Sequence, residues 1–93
     1  MKKDANRIID VWTDDVRVYA RTEGGLVASY AFDSWERLKK ATPAQRNDFF
    51  LSFSGIHWPQ IDEDLSFTGM FISSGLCEID TPEEVFYYTK PGR

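Results

Sequence analysis

The sequence predicts an α+β fold in which a small antiparallel β-meander packs against two or three short helices. Three observations carry that expectation. Ile8 to Trp12 reads as a strand, and Val16 to Arg21 after it alternates apolar with polar residues, as a half-buried strand does. Asp14-Asp15 and Glu23-Gly24-Gly25 put turn-forming residues between strand-like runs. Thr42-Pro43-Ala44-Gln45 carries a helix-start signature. With 93 residues the chain has room for one domain, so 1–93 is read as a single unit, with 80–93 a candidate peripheral segment at its C-terminal side.

The first strand is expected over Ile8-Ile9-Asp10-Val11-Trp12 and the second over Val16 to Arg21. Gly24 and Gly25 tolerate the positive φ of a tight hairpin, after which Leu26 to Phe32 returns as the third strand. Such a sheet has one apolar face and needs a cover. Ser34 stands before Trp35-Glu36-Arg37-Leu38-Lys39-Lys40, a short helical run with Trp35 and Leu38 on one face. Thr42 then offers an N-cap, Pro43 occupies the first helical position, and Gln45 completes a capping box. Phe49 and Phe50 are expected at the far end of that helix, packed under the sheet.

Leu51-Ser52-Phe53 is expected to be extended and Ser54-Gly55 to turn. Pro59 restricts Trp58 to a β or polyproline conformation. Asp62 or Asp64 is expected to cap a short turn or helix through Leu65, Phe67, Met70 and Phe71. Leu76-Cys77-Glu78-Ile79 reads as an edge strand, and Thr81-Pro82-Glu83-Glu84 repeats the cap signature before Val85 to Tyr88.

Composition excludes several classes. The chain is 42% hydrophobic, 15% aromatic and 28% charged, which is the balance of a folded globule rather than a disordered tail. The single Cys77 forms no internal disulfide, and with His57 alone it gives too few ligands for a four-coordinate zinc site. No metal and no cofactor are expected, and a reduced cytoplasmic setting follows from the cysteine usage. There is no apolar run of about 18 residues, and the basic start Met1-Lys2-Lys3 is cut off by Asp4, so neither secretion nor membrane spanning is expected. Eleven basic against fifteen acidic residues leave a formal charge of −4, which disfavours a large nucleic-acid footprint. Arg37, Lys39, Lys40 and Arg46 form the one basic concentration, and Asp62, Glu63 and Asp64 the acidic one.

The first candidate site is His57 with Asp62, Glu63 and Asp64, because a carboxylate beside an imidazole orients it as a base. The plainer reading has His57 bonding a loop, Trp58 filling the core and the acidic triplet capping a helix. Cys77 has no local activating group and reads as a core filler. Ser52, Ser54, Ser66, Ser73 and Ser74 lie outside any G-x-S-x-G context. The acidic triplet lacks the twelve-residue spacing of an EF-hand loop. Gln45, Arg46 and Asn47, on the helix starting at Pro43, suit bases or phosphates but have few basic neighbours. A solvated face or a protein-binding face accounts for them as well.

Leu38-Lys39-Lys40-Ala41-Thr42-Pro43-Ala44-Gln45-Arg46, followed by Gly55-Ile56-His57-Trp58-Pro59-Gln60-Ile61-Asp62-Glu63-Asp64-Leu65-Ser66, resembles the DUF2442 family of small bacterial proteins over roughly residues 8 to 72. His57, Trp58, Pro59, Asp62, Glu63 and Asp64 match that family's second motif. Glu23-Gly24-Gly25 departs from its usual hairpin by lacking a basic residue. The resemblance implies a compact α+β fold with no established activity and, by its pairing with another small protein, an antitoxin-like role. The expectation is thus a noncatalytic protein-interaction domain with a small protein partner or a second copy of itself, using the acidic surface, with His57, or an exposed sheet edge. Two alternatives stand beside it. One is a small metal- or ligand-binding domain or weak hydrolase using His57 with Asp62, Glu63 and Asp64, and the other a nucleic-acid-binding regulator using the Arg37 to Arg46 region.

Overall fold

The computed structural model describes residues 5–77 and 83–90. In chain order the elements are β1 (Arg7–Thr13), β2 (Arg17–Thr22), β3 (Val27–Ala31), a 3-10 turn (Phe32–Ser34), α1 (Glu36–Lys39), α2 (Pro43–Arg46), β4 (Phe50–Leu51), β5 (Gly55–Trp58), β6 (Glu63–Ser66), α3 (Phe67–Ser73) and β7 (Tyr87–Tyr88). They make the expected α+β architecture, with short helices on sheets. One sheet has four strands in the order β3-β2-β1-β7, and a second has three in the order β4-β5-β6.

The meander forms as its turn chemistry dictates. Asp14 accepts the backbone N–H groups of Val16 and Arg17, each at 2.8 Å, which folds the chain between β1 and β2. Gly25, at φ +98°, makes the turn into β3. Thr42 accepts from the Gln45 N–H at 3.1 Å, and the Gln45 side chain accepts from the Thr42 N–H at 3.0 Å, so the capping box closes. The helix behind it lasts only one turn, Pro43–Arg46.

Four expectations give way. Phe50 does not lie under the sheet: it starts β4 and is 55% exposed, while Phe49 packs against the core. The segment from Glu63 to Ser66 is a strand, not a helix start, because each of its residues pairs with β5, from Gly55↔Ser66 to Trp58↔Glu63. Asp62 sits at φ +56° in the turn between those strands, and the residue that caps α3 is Ser66, whose hydroxyl accepts from the Gly69 N–H at 2.9 Å. Leu76-Cys77 is not an edge strand. Gly75 at φ +76° ends α3 with the Gly75 N–H on the Ile72 carbonyl and the Leu76 N–H on the Phe71 carbonyl, a Schellman stop; Glu78 and Ile79 lie outside the described residues. Finally, Tyr87-Tyr88 forms β7, parallel to β1, instead of continuing a capped helix; Thr81 and Pro82 of that expected cap also lie outside the described residues.

The core lies between the two sheets and α3. Ile8, Val18, Ala20 and Ala28 come from the larger sheet, Ile56, Trp58 and Leu65 from the smaller, and Phe67, Met70 and Phe71 from α3. Phe32, Leu38 and Phe86 close it. Side chains alternate across a strand, so the burial of Ile56 and Trp58 turns His57, between them, to the opposite face of the small sheet. That outer face holds the candidate site.

Candidate functional site

The register of the small sheet places Phe50, His57 and Asp64 opposite one another on three neighbouring strands. The Phe50 and His57 rings stack at 5.0 Å between centroids, 21° apart in plane. His57 Nδ1 lies 2.6 Å from Asp64 Oδ1, and its Nε2 lies 2.5 Å from the hydroxyl of Ser52, just past the end of β4. Both ring nitrogens are engaged. An ionised carboxylate only accepts hydrogen bonds, so Asp64 puts the proton of the neutral ring on Nδ1. Nε2 is left with a lone pair, and Ser52 is the donor to it. The next partner of the hydroxyl, the Gly55 carbonyl, is at 3.5 Å.

Of the three expected carboxylates, only Asp64 reaches the imidazole. Glu63, next to it along a strand, points to the other side, opposite Trp58, and accepts the Asp64 N–H at 3.2 Å. Asp62 stands in the turn, where its backbone carbonyl accepts the Arg37 guanidinium at 2.6 Å. The acidic triplet is therefore neither a helix cap nor one continuous surface.

The basic concentration is similarly divided. Arg46 donates to the carbonyls of Leu38 (2.9 Å), Lys39 (3.1 Å) and Asp15 (3.3 Å), and its guanidinium lies 4.6 Å above the Phe32 ring centre. Lys40 pairs with Glu36 at 2.8 Å, which holds the Glu36 carboxyl below and the Lys40 ammonium above their ordinary ranges. Arg37 and Arg46 thus serve chain folding, so the four residues do not make a free cationic face.

A groove of about 350 Å³ lies between the chain around β4 and the end of β7, lined by Phe50, Leu51, Ser52, Phe53, Tyr88 and Lys90. Phe53 is 58% exposed, and its carbonyl accepts the Tyr88 N–H at 2.7 Å, which fixes the spacing of the two walls. A smaller hollow of about 190 Å³ lies on the far side of His57, against Asp64 and Ser66. Among the described residues no three His, Cys, Asp or Glu side chains are placed to hold a metal ion, and no helix is long and apolar enough to cross a membrane.

A family model described as "Protein of unknown function (DUF2442)" matches residues 8–72. The chain belongs to the DUF2442 family. No curated protein and no solved structure matches it. The DUF2442 match spans β1 to α3, including Ser52, His57 and Asp64, and stops before β7. Ser52 is the site residue that sequence reasoning missed. Its signal was the five-residue spacing to His57 across Ser54-Gly55, which in a tight hairpin brings the two side chains to one face.

Proposed function

We propose that this DUF2442 chain is a protein-interaction domain whose binding surface is the outer edge of β4. The carrying observation is the exposure of Phe50, which starts β4, and of Phe53, two residues past its end, at 55% and 58%, beside a strand that among the described residues pairs with β5 alone. An edge strand offers unpaired backbone groups, and natural proteins usually blunt such edges with charge rather than flank them with aromatic rings. Here the rings border the groove of about 350 Å³, and strand addition supplies affinity through backbone bonds and specificity through side-chain pockets. The occupant favoured by this geometry is an extended strand of a small partner protein. The family resemblance adds the finer form of the reading, an antitoxin-like half of a two-protein pair in the cytoplasm.

Two features weigh against the alternatives. The engagement of Arg37 and Arg46 with backbone carbonyls withdraws cations from phosphate binding. The splitting of Asp62, Glu63 and Asp64 between a turn and two strand faces withdraws oxygen ligands from a shared metal. The test is a tagged pulldown from host lysate at near-physiological salt, with mass spectrometry of bound protein and nucleic acid, run in parallel on Phe50→Asp and Phe53→Asp. The expected result is one stoichiometric protein partner, lost from both variants at unchanged circular dichroism. A partner retained by both folded variants, or nucleic acid as the bound species, overturns the reading.

A further inference from the structure

The geometry points to Ser52 as a nucleophilic, acylatable serine, with His57 as its base and Asp64 as the group that orients the base. We propose that it accepts an acyl group from carboxylic esters with a short apolar acyl chain. This goes beyond the interaction reading and does not rest on it.

A serine hydroxyl is a poor nucleophile until a base stands ready to take its proton. His57 Nε2, at 2.5 Å, is in hydrogen-bond contact, and the Asp64 contact at 2.6 Å on Nδ1 leaves Nε2 unprotonated in the neutral ring. The same carboxylate stabilises the imidazolium that forms on proton transfer. Packing holds the ring: Phe50 stacks on one face, and the strand pairing on both sides fixes the backbone of His57. Ser52 also lines the groove of about 350 Å³, whose Leu51, Phe53 and Tyr88 suit an apolar acyl chain. The same arrangement of hydroxyl, imidazole and carboxylate recurs on unrelated folds, where geometry rather than sequence order defines it.

In the step itself, Ser52 Oγ forms a bond to the ester carbonyl carbon while His57 Nε2 takes the hydroxyl proton. The tetrahedral adduct collapses, the bond from carbon to the alcohol oxygen breaks, and His57 returns the proton to the departing alkoxide. The products are an ester on Ser52 and a free alcohol, with no oxidant or metal required.

The test incubates the full chain with p-nitrophenyl butyrate and, separately, with an alkyl fluorophosphonate. Intact mass, peptide mapping and the rate of p-nitrophenol release are followed. One butyryl or phosphonyl group is expected, mapped to Ser52 and absent in Ser52→Ala. His57→Gln is expected to slow the reaction at least about 100-fold, the lower range of general-base assistance. Asp64→Asn is expected to slow it at least about 10-fold by releasing the ring's tautomer. Asp64 is 69% exposed, so its amide variant tests the proposal even if His57→Gln does not fold. No adduct, an adduct on other residues, or a folded Asp64→Asn chain that reacts as fast as the parent would each overturn the proposal.

Discussion

Arg46 shows how a charged residue is spent on the fold. Its side chain closes three backbone carbonyls from two segments, the end of α1 and the turn after β1, and lies over a buried ring. Single-turn helices leave carbonyls without partners, and a planar fork reaches several of them at once, which an ammonium does not. Arg46→Ala is expected to lower stability by about 2–3 kcal/mol, as loss of charged hydrogen bonds does, whereas exposed Lys39→Ala stays within about 0.5 kcal/mol. Urea midpoints of the two variants check this, and equal midpoints would contradict it. Net charge and spacing did not separate these two residues in the sequence, because what lies behind a cation is decided by tertiary packing. Gly55 makes the same point about space: a Cβ there would lie 2.3 Å from the Leu65 carbonyl oxygen. Gly55→Ala is therefore expected to cost about 2 kcal/mol or more through forced backbone movement. Gly25→Ala, with open space but a φ of +98°, is expected to cost about 1 kcal/mol. Denaturation of both variants tests that ordering.

At the scale of elements, what local chemistry specifies was readable and what distant pairing specifies was not. The capping box at Thr42 and the Asp14 turn are short-range devices, and both form as the residues suggest. The β5–β6 hairpin escaped because its strands are four residues long and its turn residue, Asp62, belongs to an acidic run that equally suits a helix cap. Missing that hairpin hid the partner of His57, since Asp64 reaches it only through strand register. The Asp14 turn also carries a pH dependence. The Tyr19 hydroxyl donates to Asp14 Oδ2 at 2.6 Å, and that bond, with the two backbone N–H groups, holds the Asp14 carboxyl below 3.8. The folded state therefore binds this proton less readily than the unfolded state. Its contribution is complete above the ordinary carboxylate range and is lost as pH falls through the lowered value. The same bond raises the Tyr19 phenol above 10.0, so at the alkaline end stability is complete below that value and is lost as pH rises through the folded one. Asp14→Asn is expected to flatten the acid limb of a melting-temperature profile, and Tyr19→Phe to remove a late-ionising phenol from the ultraviolet titration. An acid limb unchanged in Asp14→Asn would place that dependence elsewhere.

At the scale of the whole molecule, the segment from Val85 to Tyr88 ties the two sheets together, although it lies beyond the residues that the family model matches. β7 adds to the large sheet by pairing Arg7↔Tyr87 and Ile8↔Tyr88, while the Tyr88 N–H reaches the small sheet's end at the Phe53 carbonyl. Phe86, 2% exposed, stacks on Phe71 at 4.2 Å and 8°. Buried Thr68 accepts the N–H groups of Val85 at 2.9 Å and Phe86 at 3.1 Å. Removing this segment would expose an aromatic face of α3 and strip Thr68 of those two donors. A buried Phe→Ala change costs about 3–5 kcal/mol, out of a total of about 5–15 kcal/mol for a domain. Phe86→Ala is thus expected to lower the melting temperature sharply while leaving a cooperative transition. A chain ending at Cys77 is expected to lose cooperativity, because it forfeits the Phe86 contact, the Thr68 bonds and a strand together. The segment also forms one wall of the β4 groove through Tyr88 and Lys90. Hence partner capture should fall in Phe86→Ala even at a temperature where the protein remains folded. Circular dichroism melts with pulldown at a fixed low temperature separate the two effects: a chain ending at Cys77 that melts cooperatively near the parent's temperature would show that β7 is dispensable to the fold.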